Sequence, residues 1–275
     1  MPLMDKYFAN PAALPSMPEV AHSLMQSLDK ASLGLRELSQ LIAQDQGLSV
    51  KVLRLANSPH YSPSHSVATL QDAAVIIGLE GLRDLALAAC AAGAFPQVDG
   101  FDRMRFWRQC LATADHARVL AGACDLDPDT AHLAGMVMRT GELLMLMQDP
   151  EAMAQAERQA SLPDSLLDHE RRLLQCSHVQ VTAELARRWQ FPGALVLALS
   201  AADDPLACRP FCRLGAVLRL ASVMAEAGEQ GGLALTDALA AQEELVQRLG
   251  LELDWVKTHL RPHAVPTGRG EHLLH

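Results

Sequence analysis

Apolar residues in this chain recur at helical spacing almost wherever they recur. After Pro18, Val20, Leu24 and Leu28 follow one another four apart. Leu35, Leu38, Leu41 and Ile42 form the next stripe, with Ser32 placed as its cap. A third stripe, Leu48, Val52 and Leu55, stands behind Asp45 as cap and stops near Asn57-Ser58-Pro59. His60 to Ala68, with Pro63 and three serines, reads as a loop. Thr69 then caps Leu70 to Ile77, Gly78 breaks the pattern, and Leu79 to Ala92 resumes it. Residues 19–92 are thus predicted as five short helices. Pro11, Pro15 and Pro18 keep the stretch before them from being one helix.

Gly93 to Gly100, with Pro96, marks a boundary. A longer helix is predicted from about Asp102 to Cys124. Asp127-Pro128-Asp129 opens another, with proline in the first turn and acids against the dipole. Through Leu133, Met136, Val137, Leu144 and Leu146 this helix is expected to run unbroken to about Gln148. Further helices are expected near 150–160, 163–175, 178–189, 192–201 and 206–227, a linker at Gly231-Gly232, and closing helices at 236–249 and 251–261. The tail from Pro262, with Gly268 and Gly270, is expected to be mobile. The resulting division is an N-terminal segment (1–18), an N-terminal helical bundle (19–100), a second helical subdomain (101–228) and a C-terminal helical extension with its tail (229–275).

Composition agrees with helices. Alanine occurs 43 times and isoleucine three times, which favours helix over strand. There are 32 acidic and 23 basic residues, and neither half of the chain is basic. Non-specific nucleic-acid binding, which neutralises phosphates with Lys and Arg, is therefore not expected. The six cysteines contain no CxxC pair and read as free buried thiols in a reducing cytosol. No apolar run reaches the roughly 18 residues of a membrane span, and the N-terminus lacks a signal-type apolar region, so a cytoplasmic protein is expected. Met136, Met138, Met145 and Met147 read as core filling.

Several phrases then point to a family. They are Leu14-Pro15-Ser16-Met17-Pro18-Glu19-Val20, Leu41-Ile42-Ala43-Gln44-Asp45, Lys51-Val52-Leu53-Arg54-Leu55-Ala56-Asn57-Ser58, Tyr61, and Ile76-Ile77-Gly78-Leu79-Glu80-Gly81-Leu82-Arg83. The second half adds Phe106-Trp107-Arg108, Leu133-Ala134-Gly135 and Trp189-Gln190-Phe191-Pro192. In this order and spacing, over roughly residues 11–228, the chain resembles the HDOD domain, the HD-related output domain of bacterial signalling proteins. The resemblance implies an all-α fold, with an N-terminal five-helix bundle packed on an HD-like helical subdomain.

HD enzymes hold metal with a lone His, a His-Asp dyad and a distant Asp, because imidazole and carboxylate ligate a divalent ion that activates water. The resemblance places the lone His at Gln109, the dyad at Met138-Arg139 and the distant Asp at Ser222. A His pair that often precedes a proline in this superfamily is replaced by Ala202-Asp203. Arg139 puts a fixed positive charge where a cation would sit. His178 stands where HDOD proteins often carry His. It reads either as a relic of the pocket or as a helix-cap or interface residue, since one His without partners makes no metal site.

The degenerate pocket is thus Gln109, Met138, Arg139, His178 and Ser222, with no catalytic residue, no metal and no cofactor expected. Candidate interaction residues are His60 and Tyr61 on the serine-rich loop, and Arg83, which would meet an anionic ligand or a partner carboxylate, or form a structural salt bridge. Asn57, at a helix end, is expected to satisfy local backbone groups. The function implied is non-catalytic signalling through protein–protein contact. The alternative is a metal-free sensor of a nucleotide or other small anion anchored by Arg139, and behind that stands a metal-dependent phosphohydrolase. The partners implied are signalling proteins, with homodimerisation through the C-terminal extension as a further option.

Overall fold

Side-chain caps account for the helix starts in the first part of the chain. The computed structural model describes residues 3–9, 23–24, 34–57, 67–94, 101–230 and 232–260. Among them every regular element is helical and none is a strand. They fall into two compact units, one of residues 23–94 and one of residues 3–9 with 101–260.

In the first unit, α1 (Leu35–Ala43) begins where Glu37 accepts the Gly34 N–H at 3.0 Å. α2 (Gln46–Ala56) begins where Asp45 accepts the Leu48 N–H at 3.0 Å. Asn57 then closes the loop that follows. Its amide donates to the carbonyls of Leu53 (2.8 Å) and Val67 (2.7 Å), and its Oδ1 accepts the Val67 N–H (2.7 Å). Thr69 and Asp72 cap each other's backbone N–H groups at the start of α3 (Leu70–Ala94). Gly78, at φ 80° and ψ 167°, interrupts α3, a backbone conformation that a side chain would strain. Leu38, Ile42, Val52, Leu82 and Leu85 form the core of this unit. Ser23 and Leu24 are helical, while Ser32, His60 and Tyr61 lie outside the described residues, as do parts of the five-helix count.

The second unit opens with a 3-10 turn, Leu3–Phe8. Asp102 accepts the Arg105 N–H at 2.9 Å and starts α4 (Arg103–Ala123). Asp127 and Pro128 start α5 (Pro128–Val137). The helix expected from 128 to 148 is in fact two, since α6 (Thr140–Gln148) is separate. Distant side chains make the break. The Thr182 hydroxyl accepts the Gly141 N–H and donates to the Met138 carbonyl, each at 2.8 Å, while Thr140 donates to the Val137 carbonyl.

The following helices are α7 (Pro150–Gln159), α8 (Leu166–Leu174), α9 (His178–Arg188) and α10 (Gly193–Ala201). The next, α11 (Arg213–Gln230), starts seven residues later than expected from 206, because Pro210 has no N–H for a helical ladder. The chain closes with α12 (Gly232–Ala241), α13 (Glu243–Leu249) and α14 (Leu253–His259). The single helix expected at 236–249 is therefore also two. It divides at Gln242, whose side chain turns to donate to Asp164 at 2.9 Å. Gly232 belongs to α12, not to a linker. Residues 261–275 lie outside the described residues.

α11 is the central strut, packing on α4, α5, α10, α12 and α13. Two glycines let helices meet. A Cβ on Gly135 would stand 2.7 Å from the Ala114 Cα of α4, and one on Gly141 would overlap the His178 carbonyl of α9. Met136, Met138 and Met145 are core residues, and Met147 is partly exposed. All six cysteines are free; Cys208 and Cys212 are partly exposed, contrary to the expectation of burial. No helix among the described residues is long and apolar enough to cross a membrane.

Candidate functional site

The break between α5 and α6 turns Arg139 inward instead of along a helix face. Its guanidinium is almost fully buried and paired on both sides. Nη2 lies 2.7 Å from Glu142 Oε2, and Nη1 lies 2.9 Å from Glu226 Oε1 on α11. Burial alone would lower the Arg139 pKa, but Glu142 and Glu226 outweigh it and hold the charge firmly in place. Glu226 uses its second oxygen to accept the Asp164 N–H at 2.8 Å. Asp164 in turn meets Arg219 at 2.6 Å and Gln242 at 2.9 Å. Loss of hydration pushes the Asp164 carboxyl up to about 6; Arg219 opposes that shift and Glu226 adds to it.

This lattice forms one wall of a cavity of about 100 Å³. Phe101, Phe106, Leu162 and Leu166 give it an apolar side. Gln109 lines it from α4 and donates to Glu229 at 2.8 Å, and Glu229 also holds Arg105 at 3.1 Å. Glu157, at the end of α7, faces the same space. Its pKa is raised, first by desolvation and then by the neighbouring Glu142.

Of the five residues proposed for a degenerate pocket, the structure brings Gln109 and Arg139 to this cavity. Met138 is buried in the core beside them, and only its carbonyl takes part, held by Thr182. Ser222 is buried one turn before Glu226, and it is Glu226 that reaches the cavity. His178 is also away from the cavity lining, at the first position of α9. It is not partnerless: its Nδ1 lies 2.9 Å from both oxygens of the fully buried Glu170, which also accepts the His178 N–H at 2.8 Å. Asp203 serves α9 as well, accepting from Ser177, Gln180 and Arg171. Arg83 is half-buried on α3 in the other unit.

The residues that sequence reasoning missed are Glu142, Glu157 and Glu226. Glu142 stands three after Arg139 and Glu226 four after Ser222, both at helical spacing, which was the signal available. This donor set does not fit an HD-type metal centre. The resemblance sets an amide, a thioether, a guanidinium and a hydroxyl at the ligand positions, and two of the carboxylates that line the cavity, Glu142 and Glu226, are already paired with Arg139. Among the described residues no group of three or more His, Cys, Asp or Glu is arranged to hold a metal.

Known proteins share this fold. The model of the HDOD domain matches residues 14–205. A curated relative from Treponema pallidum (strain Nichols), an uncharacterised protein, is 27% identical over 191 residues; the match covers 66% of this chain but 36% of that protein. Among solved structures, one from Shewanella amazonensis SB2B, named "Putative phosphohydrolase", is similar with a TM-score of 0.73 at 26% identity, covering 94% of this chain and 92% of that one. An HDOD domain protein with unknown function from Geobacter sulfurreducens has a TM-score of 0.69 at 19% identity, covering 94% and 96%. A protein from Marinobacter aquaeolei VT8, named "Putative signal transduction protein", has a TM-score of 0.75 at 24% identity, covering 94% of this chain and 58% of that one.

Proposed function

The chain belongs to the HDOD domain family, and we propose that it is a non-catalytic regulator in signal transduction that works by binding other proteins. One observation carries this reading. Arg139, which the family resemblance sets at a dyad position, is locked between Glu142 and Glu226. A guanidinium keeps its proton in proteins, so the charge cannot be shed to admit a metal. Placing a divalent cation beside it opposes binding electrostatically.

A hydrolase reading, which the name of the Shewanella protein invites, needs imidazole and carboxylate where this chain has Gln109, Met138, Arg139 and Ser222. The test is incubation of metal-supplied protein with phosphodiester and nucleotide substrates. No turnover is expected. Turnover abolished by Arg139→Ala or Gln109→Ala would overturn the proposal.

The small-anion reading is weakened, because carboxylates already hold both terminal nitrogens of Arg139 and leave only its buried Nε without a partner. Calorimetry with nucleotides is expected to show no heat of binding. Interaction residues remain proposals at His60, Tyr61 and Arg83, to be tested by their substitution in co-purification with partners from the native cell.

A further inference from the structure

The turn between α7 and α8, residues 161–165, is built as a separate piece. Ser165 closes it on itself. The Ser165 hydroxyl donates to the Leu162 carbonyl at 2.6 Å and accepts the Leu162 N–H at 3.3 Å, and the Ser165 N–H donates to the same carbonyl at 3.2 Å. Among the described residues, Asp164 makes the turn's polar ties beyond its two flanking helices. Its N–H donates to Glu226 at 2.8 Å and its Oδ1 meets Arg219 at 2.6 Å, both on α11. Its Oδ2 accepts from Gln242 at 2.9 Å, at the break between α12 and α13. Asp164 also sits at a φ of 70°, in the left-handed region that most side chains avoid. Such a conformation persists where surrounding contacts over-determine it, and here those contacts come from α11 and from Gln242.

The same turn borders the cavity. Leu162 lines it, together with Leu166 at the start of α8. Leu162 does so while remaining 68% exposed, which sets it at the mouth, whereas Leu166 is 8% exposed. Outward movement of the turn takes the Asp164 N–H from Glu226 Oε2. It leaves Glu226 Oε1 on Arg139 at 2.9 Å and Glu142 on the other side of the guanidinium at 2.7 Å. The buried ion group therefore survives the motion.

We propose that residues 161–165 are a lid over this cavity, latched at Asp164, and that the C-terminal extension works the latch through Gln242. Displacing the α12–α13 break withdraws the Gln242 amide and frees the lid, so that the cavity opens at Leu162. Asp164 lies within the stretch that matches the HDOD domain, residues 14–205, and Gln242 lies beyond it. The extension is thereby a control arm acting on the domain's cavity. The inference deepens the regulator reading and rests on it for its purpose, while the lid's mechanics rest on the geometry of the turn.

The experiment uses the full chain and two readouts. One is hydrogen–deuterium exchange over residues 161–165, followed by mass spectrometry. The other is alkylation by iodoacetamide of a thiol introduced by Leu166→Cys, mapped in the same way. Each is measured in the parent, Gln242→Ala, Gln242→Glu and Asp164→Gly backgrounds. Gln242→Ala removes the donor, Gln242→Glu turns a like charge on Asp164, and Asp164→Gly removes the carboxylate while keeping the left-handed backbone accessible. Gln242→Ala is expected to raise both rates about fivefold, as for one lost hydrogen bond, and the other two variants to raise them further. Cys176, buried in the same unit but not part of the cavity lining, and the amides of α9 are expected to keep their parental rates. Unchanged rates in Gln242→Glu overturn the proposal, whatever Asp164→Gly does, because the extension would then not work the latch. A rise shared equally by Cys176 and α9 overturns it too, since the whole unit would have loosened. Phosphodiester turnover by metal-supplied protein defeats the regulator reading and leaves the lid standing, whereas unchanged rates without turnover defeat the lid alone.

Discussion

Replacing Arg139 by methionine removes the one cation between two carboxylates that the fold keeps close. The Glu142 side chain is 6% exposed and that of Glu226 is 17% exposed. Water cannot compensate the stranded charges well at either position. Removing one partner from a buried ionic group typically costs about 3–5 kcal/mol, because the remaining charge stays buried. For a unit of this size each kcal/mol lowers the melting temperature by about 2–4 °C, so a fall of roughly 6–20 °C is expected.

The readout is simple, because Trp107, Trp189 and Trp255 all lie in the unit that holds the site. Tryptophan fluorescence in a urea or thermal ramp therefore follows that unit specifically. Two companions separate the mechanism from general damage. Arg105→Met, at an exposed pair, should cost about 1 kcal/mol or less. The triple variant Arg139→Met, Glu142→Leu and Glu226→Gln should recover most of the loss, since a buried ion group replaced as a whole is often near neutral. An Arg139→Met protein that melts within about 2 °C of the parent would refute the reasoning. So would a triple variant no better than the single one.

Gly141→Ala drives a methyl group into the His178 carbonyl and the Thr182 amide, and should lose about 3 kcal/mol or more in urea unfolding. Gly193→Ala, with open space around it, should lose nothing. Asp164, raised from 3.8 to about 6, binds a proton in the native state that the unfolded state has already released. Its contribution to stability therefore falls as pH rises from about 4 to about 6, by up to about 3 kcal/mol. Asp164→Asn, which tolerates the positive φ of 70° there, should flatten that slope in denaturant titrations across this range. Glu170→Leu strips two hydrogen bonds from His178 at the start of α9 and should cost about 3 kcal/mol by thermal melting. A melt like that of the parent would show that Glu170 is dispensable as a cap.

Helix starts with a local side-chain cause were legible from the chain. Asp45 and Thr69 cap where the sequence pattern puts them, helices start at Asp102 and Asp127 as expected, and Gly78 interrupts where it should. The break at Met138-Arg139 was not legible, for a physical reason. No proline stands there, and although Arg139-Thr140-Gly141-Glu142 interrupts the apolar run, Val137 and Leu144 stand seven apart, in register for one continuous helix. The break is made by the Thr182 hydroxyl, more than forty residues away in sequence. The site divides in the same way. Gln109 and Arg139 could be placed because flanking phrases fix their register. Glu226 could not, because an acid on a helix looks like a solvated face until folding sets it beside a residue 87 positions away.

The buried Arg139 cluster also limits what kind of ligand could act on this unit. A metal site responds to metal supply because its donors face an exchangeable ion. Here the cation is part of the chain, and its two carboxylates tie the α5–α6 break to α11. α11 in turn packs on α4, α5, α10, α12 and α13, so the pair sits where several helices are held together. A ligand that drew Glu142 or Glu226 away from Arg139 would have to supply an equal positive charge, or leave the guanidinium buried and unpaired at a cost of several kcal/mol. An anion cannot do this.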